Sequence, residues 1–331
     1  MRWSTALGRD DVGHRVVLRR IVPLPGNRVA YSDVVGWLVA ADEIQLTVRT
    51  RTGEVTLRRA EIAHGKRIPD RRAETSTEVL ERVAAAGWPA PDLDRLGGWL
   101  LRAAEGWTNR GNSALAVGDP DVPLADAVDA VHAWYTARGI RPGVMVPAPV
   151  GGRVTAELER RGWRPQPPTL MQTAPLAPIA DDHFGPRASP GGPKQSRALD
   201  VHLDEAPSEA WLAAVAGRKG PLPAAARHLL TAVPQVRFAR WDGPDGAPVA
   251  TARGVVADDG RWLGLSLVGV EPAHRRRGLA RAVSAALAGW ALGLGAERAY
   301  LQVEAHNTEA VALYAGLGFT THHTYTTWNP A

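Results

Sequence analysis

Leu263-Gly-Leu-Ser-Leu-Val-Gly-Val270 runs directly into Glu271-Pro-Ala-His-Arg-Arg-Arg-Gly-Leu-Ala280, and then into a stripe of Val283, Leu287, Trp290 and Leu294. A short apolar run closed by a proline predicts a buried strand. The stripe has the period of an amphipathic helix. Between the two lies a basic turn with a glycine. Such a turn leaves the first amides of the following helix unpaired and directed outward, which suits a pyrophosphate. Gly278 and Ala280 let the backbone approach the phosphates, and the arginines add positive charge.

A second block lies downstream, Leu301-Gln-Val-Glu-Ala-His-Asn-Thr-Glu-Ala-Val-Ala-Leu-Tyr-Ala-Gly-Leu-Gly-Phe319, a strand, an Asn, a helix carrying Tyr, then Leu-Gly-Phe. Arg275, Gly278 and Ala280 fit Arg/Gln-x-x-Gly-x-Gly/Ala. Together the two blocks resemble motifs A and B of the GNAT family of acyl-CoA-dependent N-acyltransferases.

That resemblance implies a mixed α/β fold and acetyl-CoA as cosubstrate, with an amine attacking the thioester. Val268, Gly269 and Val270 would pair with the pantetheine arm, and the Val270 amide would face the thioester oxygen. Arg275 and the amides of Arg276, Arg277, Gly278, Leu279, Ala280 and Arg281 would hold the pyrophosphate. Asn307 would contact the cofactor arm, cap its helix, or both. Tyr314 sits where many family members place the proton donor for the leaving thiolate; its structural role would be packing on Leu317. The family's two common glutamate positions correspond here to Gly264 and Gln302, neither of which is basic. Glu304, on the strand face of Gln302, and Glu271, at the end of the central strand, are the remaining candidates, with a water relay as the alternative.

Composition narrows the rest. A chain of 331 residues suggests two or three domains. With no Cys, disulfides, cysteine nucleophiles and thiolate metal sites are excluded. His306, His322 and His323 lack partners at metal-ligand spacing, so no metal is expected. No signal peptide or membrane-length apolar run is visible, so a cytoplasmic protein without membrane contact is expected. Residues 1–72 carry 14 Lys and Arg against 8 Asp and Glu, while the whole chain carries 39 against 34, so the basic excess is amino-terminal. That segment is a solvated face or a contact for nucleic acid or protein.

In residues 1–72, short Val/Ile/Leu/Thr runs punctuated by Gly26-Asn27, Ala41-Asp42 and Thr52-Gly53 predict a small barrel resembling SH3-like domains. Trp3, Tyr31 and Trp37 form either a recognition surface or, for Trp37 above all, core. Arg71–Thr77 reads as a linker, and Thr77–Ala86 as a helix. Residues 73–176 read as a GNAT-like copy, 177–198 as a Pro/Gly-rich connector with little regular structure, and 199–331 as the catalytic GNAT domain. An internal repeat supports the pairing of copies, since Trp134, Gly139, Gly162 and Trp163 precede Trp290, Gly295, Gly318 and Phe319 by 156 residues each. The same shift sets the phosphate turn on Asp119-Pro-Asp-Val-Pro-Leu124, with no glycine, two prolines and two carboxylates, and sets Tyr314 on Leu158. The first copy keeps a scaffold without the site. The polar loop Trp107–Ser113 either lines a cleft between the copies or is a plain edge turn.

The expected reaction is acetyl transfer from acetyl-CoA to a primary amine, with the acceptor, small molecule or protein, open. The alternative is an acyl-CoA-binding regulatory protein with vestigial catalysis, whose barrel holds nucleic acid or a partner.

Overall fold

The structure, a computed structural model, describes residues 7–25, 28–50, 52–68, 75–181, 200–257 and 260–331. Trp3, the Gly26-Asn27 turn, most of the Arg71–Thr77 linker and most of the Pro/Gly connector lie outside the described residues. The chain divides into two units, one holding the barrel with residues 96–98 and 119–130, the other holding the remainder.

In the first unit, β1 (Arg15–Leu24), β2 (Arg28–Ala41), β3 (Gln45–Thr50), β4 (Gly53–Arg58) and β5 (Ile62–Arg67) form an antiparallel sheet in the order β4-β3-β2-β1-β5. Alternating residues Val16, Leu18, Leu38, Leu46, Val48 and Leu57 turn inward and bury one apolar cluster. Trp37 is half-buried rather than core, and Tyr31 is exposed. At Gly36 a Cβ would sit 2.1 Å from the Arg49 carbonyl oxygen, so strands β2 and β3 approach too closely there for a side chain.

After the barrel come α1 (Ser76–Ala86), β6 (Asp92–Leu96), β7 (Trp99–Ala103), β8 (Ala114–Leu115), α2 (Leu124–Thr136), β9 (Val144–Pro147), α3 (Gly152–Arg160), β10 (Arg164–Pro165), β11 (Thr169–Pro175) and α4 (Ala177–Ala180). The second copy follows as β12 (His202–Asp204), α5 (Glu209–Lys219), α6 (Ala224–Thr231), β13 (Val236–Asp242), β14 (Pro248–Ala257), β15 (Trp262–Val270), α7 (Leu279–Gly293), β16 (Arg298–Glu304), α8 (Thr308–Gly316) and β17 (Thr320–Asn329). Helix α1 begins earlier than the linker reading allowed. Thr75 caps it, accepting from the Glu78 amide at 3.3 Å while its own amide donates to Glu78 at 2.7 Å.

The repeat is a structural one. Helices α3 and α8 are nine residues each and stand 156 apart. Gly139 and Gly295 both have positive φ (64° and 91°), as do Gly162 and Gly318 (76° and 85°), so each pair closes a helix in the same left-handed way. Trp163 and Phe319 are both buried. The fold is thus a tandem pair of like α/β copies, as the resemblance implies, whose sheets are continuous in the order β12-β13-β14-β15-β16-β11-β17-β9-β8-β7-β6.

That order contains an exchange. Strand β11 ends the first copy yet pairs along its whole length with β16 of the second. Strand β17 ends the second copy yet pairs with β9 of the first, and β11 and β17 pair with each other. Each copy completes the other's sheet. The connector reading also needs correction at its start. Helix α4 lies inside it, and Leu176 and Ile179 are fully buried in the cluster under α7. Burying Ile179 alone contributes about 2 kcal/mol, enough to hold this turn despite its proline-rich neighbourhood. Within α7, Val283 and Leu287 are fully buried as expected, but Leu294 lies past the helix end and is exposed.

Candidate functional site

The site is set by how β15 leaves its neighbour. Strands β15 and β16 run parallel and pair only from Trp262–Leu265 against Arg298–Leu301. Beyond that, β15 bulges. Its register against β14 shifts between Thr251 and Arg253, and Leu267 takes a φ of 54°. Ser266 to Val270 therefore run free of β16 and open a slot. The Glu271 amide donates to Val249 on β14 at 2.8 Å. Because backbone groups alternate along an extended strand, the Val270 amide turns to the open side.

The basic turn follows. Arg276 and Gly278 both have positive φ (63° and 79°), and Gly278 is the N-cap of α7 without any side-chain capping bond. A glycine there offers the first turn of α7 no side-chain acceptor. A Cβ built on Gly278 would meet nothing within 4 Å, so open space lies over the amides of that turn. Arg275, Arg276 and Arg277 are exposed around it. The Arg275 Nε lies 3.4 Å from the Val270 carbonyl, and its guanidinium is 4.0 Å from Glu309 on α8. Arg281 donates to the Gly316 carbonyl at 3.1 Å, tying the start of α7 to the end of α8. An uncapped helix start, a free strand edge and surrounding cations are the features a pantetheine pyrophosphate needs. Val268, Gly269, Val270 and the turn 275–281 are brought to one place.

Gly269 has a further reason to be glycine. The Arg218 side chain of α5 would lie 2.5 Å from a Cβ there. Arg218 also donates to Thr251 and approaches Glu271 at 3.5 Å. Glu271 is thus held in an ion pair, while Glu304 is exposed and lies 3.3 Å from His306. Asn307 caps α8, its Oδ1 accepting from the Ala310 amide at 3.2 Å. Tyr314 is buried against Phe319, ring centres 5.8 Å apart, within the same apolar cluster as Leu317. Its hydroxyl makes no hydrogen bond among the described residues, and burial pushes its pKa up to about 12.

The face of the sheet opposite α7 carries what sequence reasoning missed. A Cβ on Gly264 would lie 2.4 Å from the Tyr300 hydroxyl, so Tyr300 fills the space that a side chain at position 264 would take. Gln302 accepts from the Arg110 Nη1 at 3.0 Å. Arg110 comes from the polar loop of the first copy, which therefore lines the cleft between copies. Asn112 fixes that loop, accepting from the amides of Ala104 and Gly106 and donating to the carbonyls of Trp107 and Thr108. Arg110 stacks on Trp88, its Cζ 4.0 Å from the ring centre, and Arg253 approaches the same ring at 5.1 Å. These residues enclose a cavity of about 20 Å³, room for one water. Arg253, the one charged residue of β14, is the signal of this side that the sequence carries. Elsewhere, buried His323 donates or accepts at 2.8 Å with Glu81, and no group of three or more His, Cys, Asp or Glu among the described residues could hold a metal.

Known proteins share this layout. The family described as "Probable histone acetyltransferase Rv0428c C-terminal" matches residues 75–328, and the "Rv0428c N-terminal Sm-like domain" matches residues 10–66. The barrel is accordingly Sm-like rather than SH3-like; strand number and length, on which the SH3 reading rested, do not separate the two. The chain is 30% identical over 327 residues to "Probable histone acetyltransferase Rv0428c" of Mycobacterium tuberculosis, covering 94% of this chain and 93% of that one. It is 27% identical over 245 residues to the "Uncharacterized N-acetyltransferase YobR" of Bacillus subtilis, covering 72% of this chain and 93% of that one. Among solved structures, a GCN5-related N-acetyltransferase from Kribbella flavida has the same fold, with a TM-score of 0.56 at 17% identity, covering 78% of this chain and 96% of that one. The chain belongs to the Rv0428c family of GNAT acetyltransferases, an Sm-like barrel followed by a tandem GNAT pair.

Proposed function

We propose that the chain moves an acetyl group from acetyl-CoA to a primary amine by direct attack, in the second copy. The observation that carries this reading is the convergence of the open β15 edge with the uncapped start of α7. Bound acetyl-CoA supplies an activated thioester. The chain's own residues do the rest: the Val270 amide meets the thioester oxygen, the turn 275–281 grips the pyrophosphate, and Asn307 borders the arm while capping α8. Tyr314 holds a proton for the departing sulfur, and its raised pKa keeps that proton in place at neutral pH. The amine nitrogen takes the acetyl carbon as the carbon–sulfur bond breaks.

The base is the open element. Glu271 is engaged by Arg218 and Glu304 is solvated beside His306, so deprotonation through a water in the 20 Å³ cavity fits as well as either carboxylate. The same missing glutamate favours a second reading, an acyl-CoA-binding regulator whose basic barrel contacts nucleic acid or protein. In either case residues 1–72, 73–176, 177–198 and 199–331 serve as the working division of a cytoplasmic protein, and no described helix is long and apolar enough to cross a membrane. The name of the mycobacterial relative makes a protein lysine one candidate acceptor. Thiol release from acetyl-CoA across an amine panel separates the readings, and the absence of Cys in the chain removes background from a thiol reagent. Amine-dependent release supports the enzyme; tight acetyl-CoA binding without release supports the regulator.

A further inference from the structure

The hairpin of the barrel carries an open strand edge, and we infer that a second molecule of this chain pairs with it, β2 against β2, antiparallel about a twofold axis at Ser32. The inference is independent of the acetyltransferase reading. Strands β1 and β2 pair from Arg15 with Trp37 to Leu24 with Arg28. Their outer neighbours are shorter. Strand β5 accompanies β1 only from Val16 to Arg20, and β3 accompanies β2 only from Trp37 to Ala41. Residues 21–24 and 28–35 therefore run on as a two-stranded ribbon with an open edge on each side.

The two edges are unlike. The Leu38 amide donates to the His14 carbonyl at 3.0 Å, and the Leu38 carbonyl accepts from the Gly13 amide at 2.8 Å. Backbone groups alternate in direction along a strand, and the register of β2 against β1 is unbroken down to Arg28. The even residues of β2 thus bond to β1, and Val29, Tyr31, Asp33 and Val35 turn their amides and carbonyls to the open edge. None of these four has a backbone bond on that side among the described residues. On β1 the Arg15 carbonyl accepts from the Ile68 amide, so the odd residues face that edge, and Pro23 stands there without an amide to offer. A proline blunts an edge against pairing; the open stretch of β2 has none.

Side chains select the occupant. Val29, Tyr31, Asp33 and Val35 share one face and are all exposed, Val29 at 56% and Tyr31 at 60%. The Asp33 charge is already answered by Arg19, whose Nε lies 2.9 Å away on β1. A twofold axis at Ser32 sets Val29 opposite Val35 and Tyr31 opposite Asp33 of the second chain. The valines then cover each other, and the phenol donates to the carboxylate. These are the same residues whose backbone groups face outward, so each opposed pair exchanges both its bonds. Sliding the register by two residues one way brings Asp33 against Asp33; sliding it the other way sets Val29 against Asp33. The strand is complementary to itself in one register, and that complementarity names this chain as the occupant.

Sedimentation of the full chain should show the mass rising from one chain to two between about 1 µM and about 100 µM, the range of a small transient interface. Val29→Lys, on an exposed position, should weaken the dimer at least tenfold at an unchanged melting temperature, and Tyr31→Pro, which removes an outward amide, should do the same. The register is read by crosslinking, because the chain has no Cys of its own. Ser32 would face its own equivalent as a non-bonded pair with Cα atoms about 4.5 Å apart, within reach of a disulfide. Under mild oxidation at the higher concentration, Ser32→Cys should form a covalent dimer. Ala30→Cys and Val34→Cys face each other, so each alone should crosslink little and the mixture well. A chain that stays monomeric, a dimer that survives both Val29→Lys and Tyr31→Pro, or equal crosslinking from positions 30, 32 and 34 would overturn the inference.

Discussion

The two copies differ most where β8 and β15 stand. Strand β15 has nine residues, bulges at Leu267 and breaks from β16 after four pairs. Strand β8 has two residues, both paired to β9, and the next amide, Ala116, still donates to Met145 at 3.0 Å. One strand runs on for five residues past its last pair with β16 and opens a slot; the other ends where its pairing ends. Behind the closed strand, buried Arg102 spends its guanidinium on Ser113 and Met145, and the Tyr135 hydroxyl donates to the Arg102 carbonyl at 2.9 Å. In the first copy these polar groups are spent on holding β7, β8, β9 and α2 together. The scaffold that survives in both, two nine-residue helices and their left-handed glycines, is what the sheet needs; the slot is what the chemistry needs.

The sharpest way to break this comparison is to separate the copies. A fragment from residue 200 onward lacks β11, which fills the gap between β16 and β17. Its β16 and β17 would each present an unpaired edge in the middle of the sheet. We expect an aggregating fragment without a cooperative melting transition. Co-expression with residues 75–181 should restore solubility if the strand exchange is the cause. A fragment that melts cooperatively alone would show that the exchange is dispensable.

Next in size is a pair of tyrosines, one from each copy. Tyr314→Phe should cut kcat by about a hundredfold with little change in stability, because its hydroxyl makes no hydrogen bond among the described residues. Tyr135→Phe should do the reverse, costing about 1 kcal/mol from the lost bond to Arg102 while turnover holds. The sign of the pH effect follows from burial. An acid raised to about 12 keeps its proton on the whole alkaline side up to that value, so kcat should show no fall from loss of this acid between pH 8 and pH 10. A wild-type turnover in Tyr314→Phe returns that residue to packing.

How much of this was legible depends on whether the signal was local. The glycine-containing turn before α7 and the repeat are readable because glycines with positive φ and helix-closing aromatics leave marks at fixed spacing. The exchange of β11 and β17 was not, since pairing between distant strands leaves no periodicity of its own, and Thr169–Pro175 carries prolines close by on both sides. Helix α4 was hidden by the composition of its surroundings, and the Sm-like barrel by strand lengths common to several small barrels. Arg110 was seen only as part of a polar loop. Its meaning required Gln302, 192 residues away, to be placed beside it.

The smallest expected effect tests the turn itself and counts the sites. Gly278 has a φ of 79°, and a side chain there would point into open space, so Gly278→Trp should fold with a strain of about 1 kcal/mol. The indole would then stand over the uncapped amides of α7 where a pyrophosphate must come. Acetyl-CoA affinity should fall by at least about tenfold, equivalent to about 1.4 kcal/mol. In the unaltered protein, calorimetry should count one acetyl-CoA per chain. The matching turn, Asp119 to Leu124, loses two amide donors to proline and adds two carboxylates that would repel phosphate, and β8 has two residues against nine in β15. If Gly278→Trp left affinity unchanged, the turn would be a structural device only. If two acetyl-CoA molecules bound, the closed copy would have to open, and the contrast between β8 and β15 would describe two states of one design rather than a working site beside a retired one.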